Sequence, residues 1–133
     1  ARVGIENGIC PFSISTDLHC RNIGGPVWDL PTVMTKMLHV GLSLDQVIDC
    51  VTCNPGMFLD ESERTIVTVG QRANLTLFDV RDTEMWLPDS MGRSERITRA
   101  IVPCGVVFNG AYFPIDASQL SSPIYRGTSC AIS

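Results

Sequence analysis

The sequence predicts an α+β fold, with helices in the first half and a small antiparallel sheet in the second. Apolar residues recur at helical spacing behind two capping signals, over residues 30–40 and 44–53. From about residue 65 the period changes to two, as in Leu75-Thr76-Leu77-Phe78 and Ile97-Thr98-Arg99-Ala100-Ile101. Asn109-Gly110 then stands between Val106-Val107-Phe108 and Ala111-Tyr112-Phe113. Both turn residues tolerate positive φ, which makes this the strongest short hairpin signal a sequence offers.

Residues 1–9 carry apolar side chains at Ala1, Ile5 and Ile9, with Val3 beside them, and fit the end of a helix stopped at Gly8. Phe12-Ser13-Ile14-Ser15-Thr16 reads as a short strand, confined by Pro11 before it and Gly24-Gly25-Pro26 after it. It ends on Asp17, with His19 next but one. The carboxyl end of a parallel strand is where barrel enzymes place catalytic groups. Asp also favours turns for its own hydrogen-bonding reasons, so residue chemistry leaves Asp17 open between a catalytic carboxylate and a turn cap. In the following loop, Arg21 is suited to a bidentate grip on a substrate carboxylate, or is a solvated surface charge.

Asp29 reads as an N-cap with Pro31 in the first turn. Leu30, Val33, Met34, Met37 and Leu38 form the buried stripe, and Gly41 ends the helix. Lys36 and His39 fall on other faces and are expected at a solvated surface. Ser43 with Gln46 makes a capping box, followed by a stripe of Leu44, Val47, Ile48 and Val51. Asn54-Pro55 is expected to stop this helix. Cys50 and Cys53 form a C-x-x-C, but zinc needs about four ligands and the sequence has no second such pair, so core packing is the expectation.

Strands are expected over residues 65–69, 74–80, 97–102 and 105–113. Residues 82–96 are polar and turn-like and read as a surface excursion. The Ser- and Pro-rich stretch from Pro114 has no period and is expected to cross a surface or be mobile.

The 133 residues are 44% hydrophobic and 18% charged, which is globular composition, and a net charge of −4 argues against a nucleic-acid partner. No apolar run approaches the ~20 residues of a spanning helix, so no membrane partner is expected. A whole eight-stranded barrel takes ~250 residues, more than this chain supplies. Ala1 in place of Met fits an internal fragment, or removal of an initiator methionine. Cys10, Cys50, Cys53 and Cys104 sit among apolar neighbours as small hydrophobes, while Cys20 and Cys130 lie in looser contexts and are the more reactive. Reduced thiols and a cytoplasmic location are expected.

Taken in order, Pro11-Phe12-Ser13-Ile14-Ser15-Thr16-Asp17-Leu18-His19, Asp29-Leu30-Pro31-Thr32-Val33-Met34-Thr35-Lys36, Gly41-Leu42-Ser43-Leu44, Thr52-Cys53-Asn54-Pro55, Gly70-Gln71-Arg72-Ala73-Asn74-Leu75 and Val106-Val107-Phe108-Asn109-Gly110 resemble the amidohydrolase superfamily. The likeness points to its dihydroorotase-like amidohydrolases and deacetylases and runs over roughly residues 1–113. It implies a piece of an enzyme and not a whole barrel. Residues 1–60 would be the last strand and closing helices of a (β/α)8 TIM-type barrel, 61–115 strands of a small β-sandwich-type domain, and 116–133 a tail. Where the family has Ala-Asp, this chain has Ala73-Asn74, and Asn supports the same local turn bonds.

The resemblance also assigns roles. Asp17 would touch the metal centre and relay a proton; His19 and Arg21 are candidate substrate contacts from their place beside it in the chain, not from the family. The family's paired first-strand His ligands, bridging Lys or Glu and two later His ligands lie upstream of the matched part. The chain itself holds only His19 and His39, with no His-x-His. Asp17 would therefore be a metal ligand only together with ligands from the missing N-terminal part. Zinc or another divalent ion is expected in the parent enzyme and none in the isolated chain.

Two readings of function follow. One is a C-terminal fragment of a metal-dependent amidohydrolase that hydrolyses C–N (amide or cyclic amide) or ester bonds of small molecules, inactive when isolated. The other is a non-catalytic interaction fragment, a homo-oligomer that buries its exposed apolar faces by self-association.

Overall fold

A computed structural model describes residues 1–61 and 67–126. The helical half is built by its caps. Helix α1 (Arg2–Glu6) ends before Gly8, which takes a φ of 76°. Helix α2 (Leu30–His39) starts where the Asp29 carboxylate accepts the Thr32 N–H at 2.8 Å, with Pro31 in the first turn. Helix α3 (Leu44–Val51) has the full capping box, Ser43 and Gln46 each accepting the other's backbone N–H. Helix α4 (Cys53–Phe58) follows after a break at Thr52.

Pro55 thus lies inside a helix and does not end one. The first four N–H groups of a helix have no partner within it, so a proline among them sacrifices nothing. The break at Thr52 also separates Cys50 and Cys53 onto two helices instead of one.

The sheet half is one antiparallel sheet in the order β1 (Leu75–Pro88), β2 (Ser94–Phe108), β3 (Ala111–Pro114). Asn109 and Gly110 make the β2–β3 turn with φ of 51° and 82°. Asn74 steadies it by accepting the Asn109 N–H on Oδ1 at 3.0 Å.

Residues 82–96 are not a surface excursion. Strand β1 runs to Pro88, β2 begins at Ser94, and a tight turn at Asp89–Arg93 joins them, with Asp89 Oδ1 accepting the N–H groups of Met91 and Arg93 at 2.8 Å each. The pairing slips between Leu77 and Phe78 and again between Asp82 and Met85. Each slip shifts which side chains face inward, and so erases the alternation a continuous strand would show.

The expected strand over residues 12–16 has no ladder, since no strand among the described residues pairs with it. The segment is pinned to the helices instead. Ile14 donates its N–H to Cys50 O at 2.9 Å, and Asn54 Nδ2 donates to Phe12 O at 2.8 Å. Of the expected strand at 65–69, residues 65 and 66 lie outside the described residues and 67–69 form no ladder.

Strand β2 contributes to two apolar clusters. In one, Ile101 packs with Met34, Leu42 and Val47 of the helical layer. In the other, Ile97, Ala100 and Val102 pack with Leu87, Ile124 and Tyr125. The latter two belong to a segment expected to be a loose tail. It carries two short 3-10 turns, Ala117–Gln119 and Pro123–Tyr125, and Ile124 and Tyr125 are 0% and 2% exposed. Polar groups also join it to α2. Asp29 accepts from Tyr125 Oη at 2.8 Å and from Thr32 Oγ1 at 2.6 Å, and Thr32 and Ser122 hydroxyls meet at 2.7 Å. Burial and the Asp29 charge push the Tyr125 phenol far above its ordinary range, so it stays a neutral donor.

Strand β3 covers β2 only from Gly105 to Phe108. Earlier on β2, the Ile101 N–H donates to Thr35 Oγ1 of α2 at 2.9 Å, with both residues buried. Helix α2 therefore closes part of an edge that no strand covers.

Cys10, Cys20, Cys50 and Cys53 are free thiols, whereas Cys104 is disulfide-bonded. The expectation of a free, core-packed thiol at Cys104 is corrected accordingly. Apolar neighbours on β2 fit a small hydrophobe and a disulfide sulfur equally well. Cys130 lies outside the described residues.

Candidate functional site

Asp17 stands at the start of a loop that runs to Trp28. Its φ is 46°, a left-handed conformation that Asp tolerates better than most residues, and its side chain is exposed. Asn22 organises the turn that follows. Its Nδ2 donates to Asp17 O at 2.9 Å, its Oδ1 accepts the His19 N–H at 2.9 Å, and its own N–H donates to His19 O at 3.0 Å. Asp17 and His19 are thus fixed to one another through the backbone, by a residue whose only signal in the sequence is its place in a glycine-rich loop.

His19 Nδ1 accepts the Arg21 N–H at 3.2 Å. With that nitrogen engaged as an acceptor, the neutral ring carries its proton on Nε2 and presents a donor outward. Arg21 is exposed. The three predicted site residues therefore share one small turn and face solvent. Among the described residues, no hydrogen bond or ion pair joins their side chains to one another.

The far end of the loop is clamped. Lys36 Nζ donates to Pro88 O at 2.7 Å and also to Pro26 O, and lies 5.5 Å from the centroid of the Trp28 ring. It is half-buried, not solvated as its place on the helix suggested. Burial lowers its pKa, opposed by Asp89. Gly25 has a φ of 123°, and a Cβ there would lie 2.8 Å from the Trp28 ring, so the turn that seats this ring requires glycine. The Gly25–Pro26 peptide is cis.

A second polar group lies across the same helix. Glu95 of β2 accepts from His39 Nε2 at 2.7 Å and from Arg2. The His39 hydrogen bond holds the Glu95 carboxyl below its ordinary range; burial opposes it, and the Arg2 charge adds to the lowering. These residues line an open cavity of about 380 Å³ between α2 and the β1–β2 turn, on the Lys36 side.

No family model matches the chain. Individual proteins do. The chain is 44% identical over 103 residues to a deacetylase of Brucella anthropi, covering 77% of this chain and 26% of that protein. It is 41% identical over 103 residues to a deacetylase of Agrobacterium fabrum, covering 77% and 25%, and 32% identical over 114 residues to a deacetylase of Enterococcus faecalis, covering 85% and 31%. Among solved structures it is similar to a dihydroorotase, at a TM-score of 0.80 and 37% identity over 85% of this chain and 31% of that one. It is equally similar to an adenine deaminase, at a TM-score of 0.81 and 31% identity over 86% and 32%. The chain belongs to the amidohydrolase superfamily.

It spans between a quarter and a third of the length of the relatives it matches. Superfamily neighbours are typically metal-dependent. Among the described residues, no three His, Cys, Asp or Glu side chains gather where they could hold a metal. Asp17 and His19 are both exposed. The residues present do not fit a metal by themselves. Among the described residues, no helix is long and apolar enough to cross a membrane.

Proposed function

We propose that this chain is the C-terminal part of an amidohydrolase that hydrolyses C–N bonds of amides or cyclic amides, or ester bonds, in small molecules, with Asp17 as its proton-transfer residue. The observation that carries the reading is the joint likeness to deacetylases in sequence and to a dihydroorotase and an adenine deaminase in structure. On this reading residues 12–16 are the last barrel strand, α2 to α4 close the barrel over residues 1–60, and the strands within 61–115 belong to a small β-domain. The absence of a ladder over 12–16 accords with neighbouring strands contributed by the rest of the enzyme.

Asp17 suits general base and acid work. A carboxylate held at a fixed backbone position can accept the proton of an attacking water and return it to the leaving group. His19 Nε2–H and the Arg21 guanidinium would bind a carbonyl or carboxylate of the substrate. Zinc or another divalent ion belongs to the reading only with ligands from outside this chain. A cytoplasmic location is part of the same proposal. Four free thiols accord with a reducing compartment, while the Cys104 disulfide counts against one.

A second reading has its own observation. Phe58, Leu59, Val3, Ile9 and Phe12 are 81%, 66%, 72%, 69% and 54% exposed. Apolar side chains at that exposure favour self-association when the chain is alone.

The test has two arms. Purified 133-residue protein is assayed against N-acyl amino acids, cyclic amides and esters with zinc or manganese added, and no turnover is expected. The encoding reading frame is then expressed at full length. Turnover there, reduced ~10²–10⁴-fold by Asp17→Asn with the fold intact, is the expected result. Equal activity in the Asn variant would return Asp17 to a turn cap. A full-length protein inactive on every substrate class, together with a sedimenting oligomer, would favour the interaction reading.

A further inference from the structure

We propose that Cys10 and Cys50 are a dithiol pair that closes to a disulfide under oxidation, fastening the segment that leads to Asp17 onto α3. Both are free thiols, Cys10 exposed on the connection after α1 and Cys50 3% exposed on α3. Cys50 Sγ donates to the carbonyl of Pro11, the residue next to Cys10, at 3.1 Å. Gln46 lies one turn before Cys50 on the same face of α3, and its Nε2 is 3.8 Å from Cys10 Sγ. Both sulfurs therefore lie against one stretch of α3. The approach is held on the other side of Pro11 as well, by the bonds from Ile14 N–H to Cys50 O and from Asn54 to Phe12 O.

The electrostatics agree with this placement. Burial, then Asp49, then Cys10 push the Cys50 thiol up, the last because charge on one sulfur opposes charge on the other. Cys10, being exposed, reacts first with an external oxidant. With a low-molecular-weight disulfide such as oxidised glutathione, the Cys10 thiolate attacks one sulfur and expels a glutathione thiolate. Cys50 then gives up its proton to solvent and attacks Cys10 Sγ in the mixed disulfide. The S–S bond forms between the two cysteines and the second glutathione thiolate leaves. Two protein thiols are oxidised and one glutathione disulfide is reduced. The competing partner for Cys50 is Cys53, but that residue sits on α4 beyond the break at Thr52, where Thr52 Oγ1 lies 3.8 Å from its sulfur. The pairing is independent of hydrolase chemistry.

The experiment uses the full chain, folded, incubated with oxidised glutathione at mildly alkaline pH, alkylated and digested with trypsin and an Asp-specific protease. Residues 3–16 then carry Cys10 alone and residues 49–59 carry Cys50 and Cys53. The expected product is these two peptides joined, containing most of the Cys10, with the tandem spectrum assigning the link to Cys50. Dithiothreitol reverses it. Cys53→Ser retains the link and Cys10→Ser abolishes it. Cys10 left as a stable glutathione adduct with Cys50 still free, or Cys50 found joined to Cys53, would overturn the proposal. The wild-type tandem spectrum decides this even if a variant folds poorly.

Discussion

Thr35→Val is the sharpest test of how the helical layer holds the sheet. The change keeps the β-branched shape and nearly the volume, and removes one oxygen. That oxygen accepts the Ile101 N–H at 2.9 Å, and Thr35 and Ile101 are 0% and 1% exposed. With valine at position 35, the amide stays buried and has nothing to donate to. An unsatisfied buried donor costs about 1–3 kcal/mol. For a chain of this length that lowers the Tm by about 3–15 °C. Thr35→Ser is the matched control, since it keeps the hydroxyl and loses a methyl group, costing about 1 kcal/mol. Urea melts followed by far-ultraviolet circular dichroism give the midpoints, and amide exchange should show Ile101 opening faster in the valine variant. If Thr35→Val melts within ~0.5 kcal/mol of the parent, a spread seen at ordinary surface sites, the claim that α2 satisfies the edge of β2 is wrong. The same follows if Thr35→Ser is as damaging as Thr35→Val.

Two further outcomes are expected from the polar contacts. Tyr125→Phe removes the donor to Asp29 Oδ2 at 2.8 Å; a hydrogen bond to a charged group is worth about 1.5–3 kcal/mol, so denaturant melts should fall by that amount with little change in m-value. For Glu95, the folded pKa lies below the unfolded value, so its ion pairs stabilise the fold above the ordinary carboxylate range and that contribution is lost as pH falls through the lowered value. Melts of parent and Glu95→Gln across pH 3–7 should therefore differ at neutral pH and converge in acid, and a gap that widens in acid would contradict the pairing.

The helical half was legible because its signals are local. Asp29 with Pro31, Ser43 with Gln46, and the glycines at 8 and 41 each act within a few residues of themselves, and all appear in the structure where the sequence placed them. Asn109-Gly110 was legible for the same reason. What was misread depends on distant partners. The polar run Asp82–Glu84 forms a strand because Ile97–Arg99 lies opposite it, and the slip between Asp82 and Met85 hides the period. The sequence marks Lys36 as a surface charge, but two proline carbonyls and the Trp28 ring, brought from the loop before α2 and the end of β1, enclose its ammonium. At the candidate site, Asp17 with His19 and Arg21 could be named from the sequence. Asn22 could not, because no pattern marks an amide that bridges two backbone groups across a turn. Asn54 stood out only as the residue before a proline, and its bond to Phe12 was not foreseen.

The contacts of Asp29 and Thr32 with Ser122 and Tyr125 join positions 90 and 96 residues apart in the chain. On a ribosome, residues are added one after another, so α2 is synthesised long before the groups that complete its N-terminal anchorage. Until residue 125 emerges, Asp29 can serve α2 only through its local bonds to Thr32, and Leu87, Ile97, Ala100 and Val102 lack their partners Ile124 and Tyr125. The nascent chain at that stage has its four helices and an incompletely covered sheet, the kind of species that engages chaperones. Stop codons placed shortly before Ser122 should yield protein that partitions to the insoluble fraction, although every helix and strand named above would still be encoded.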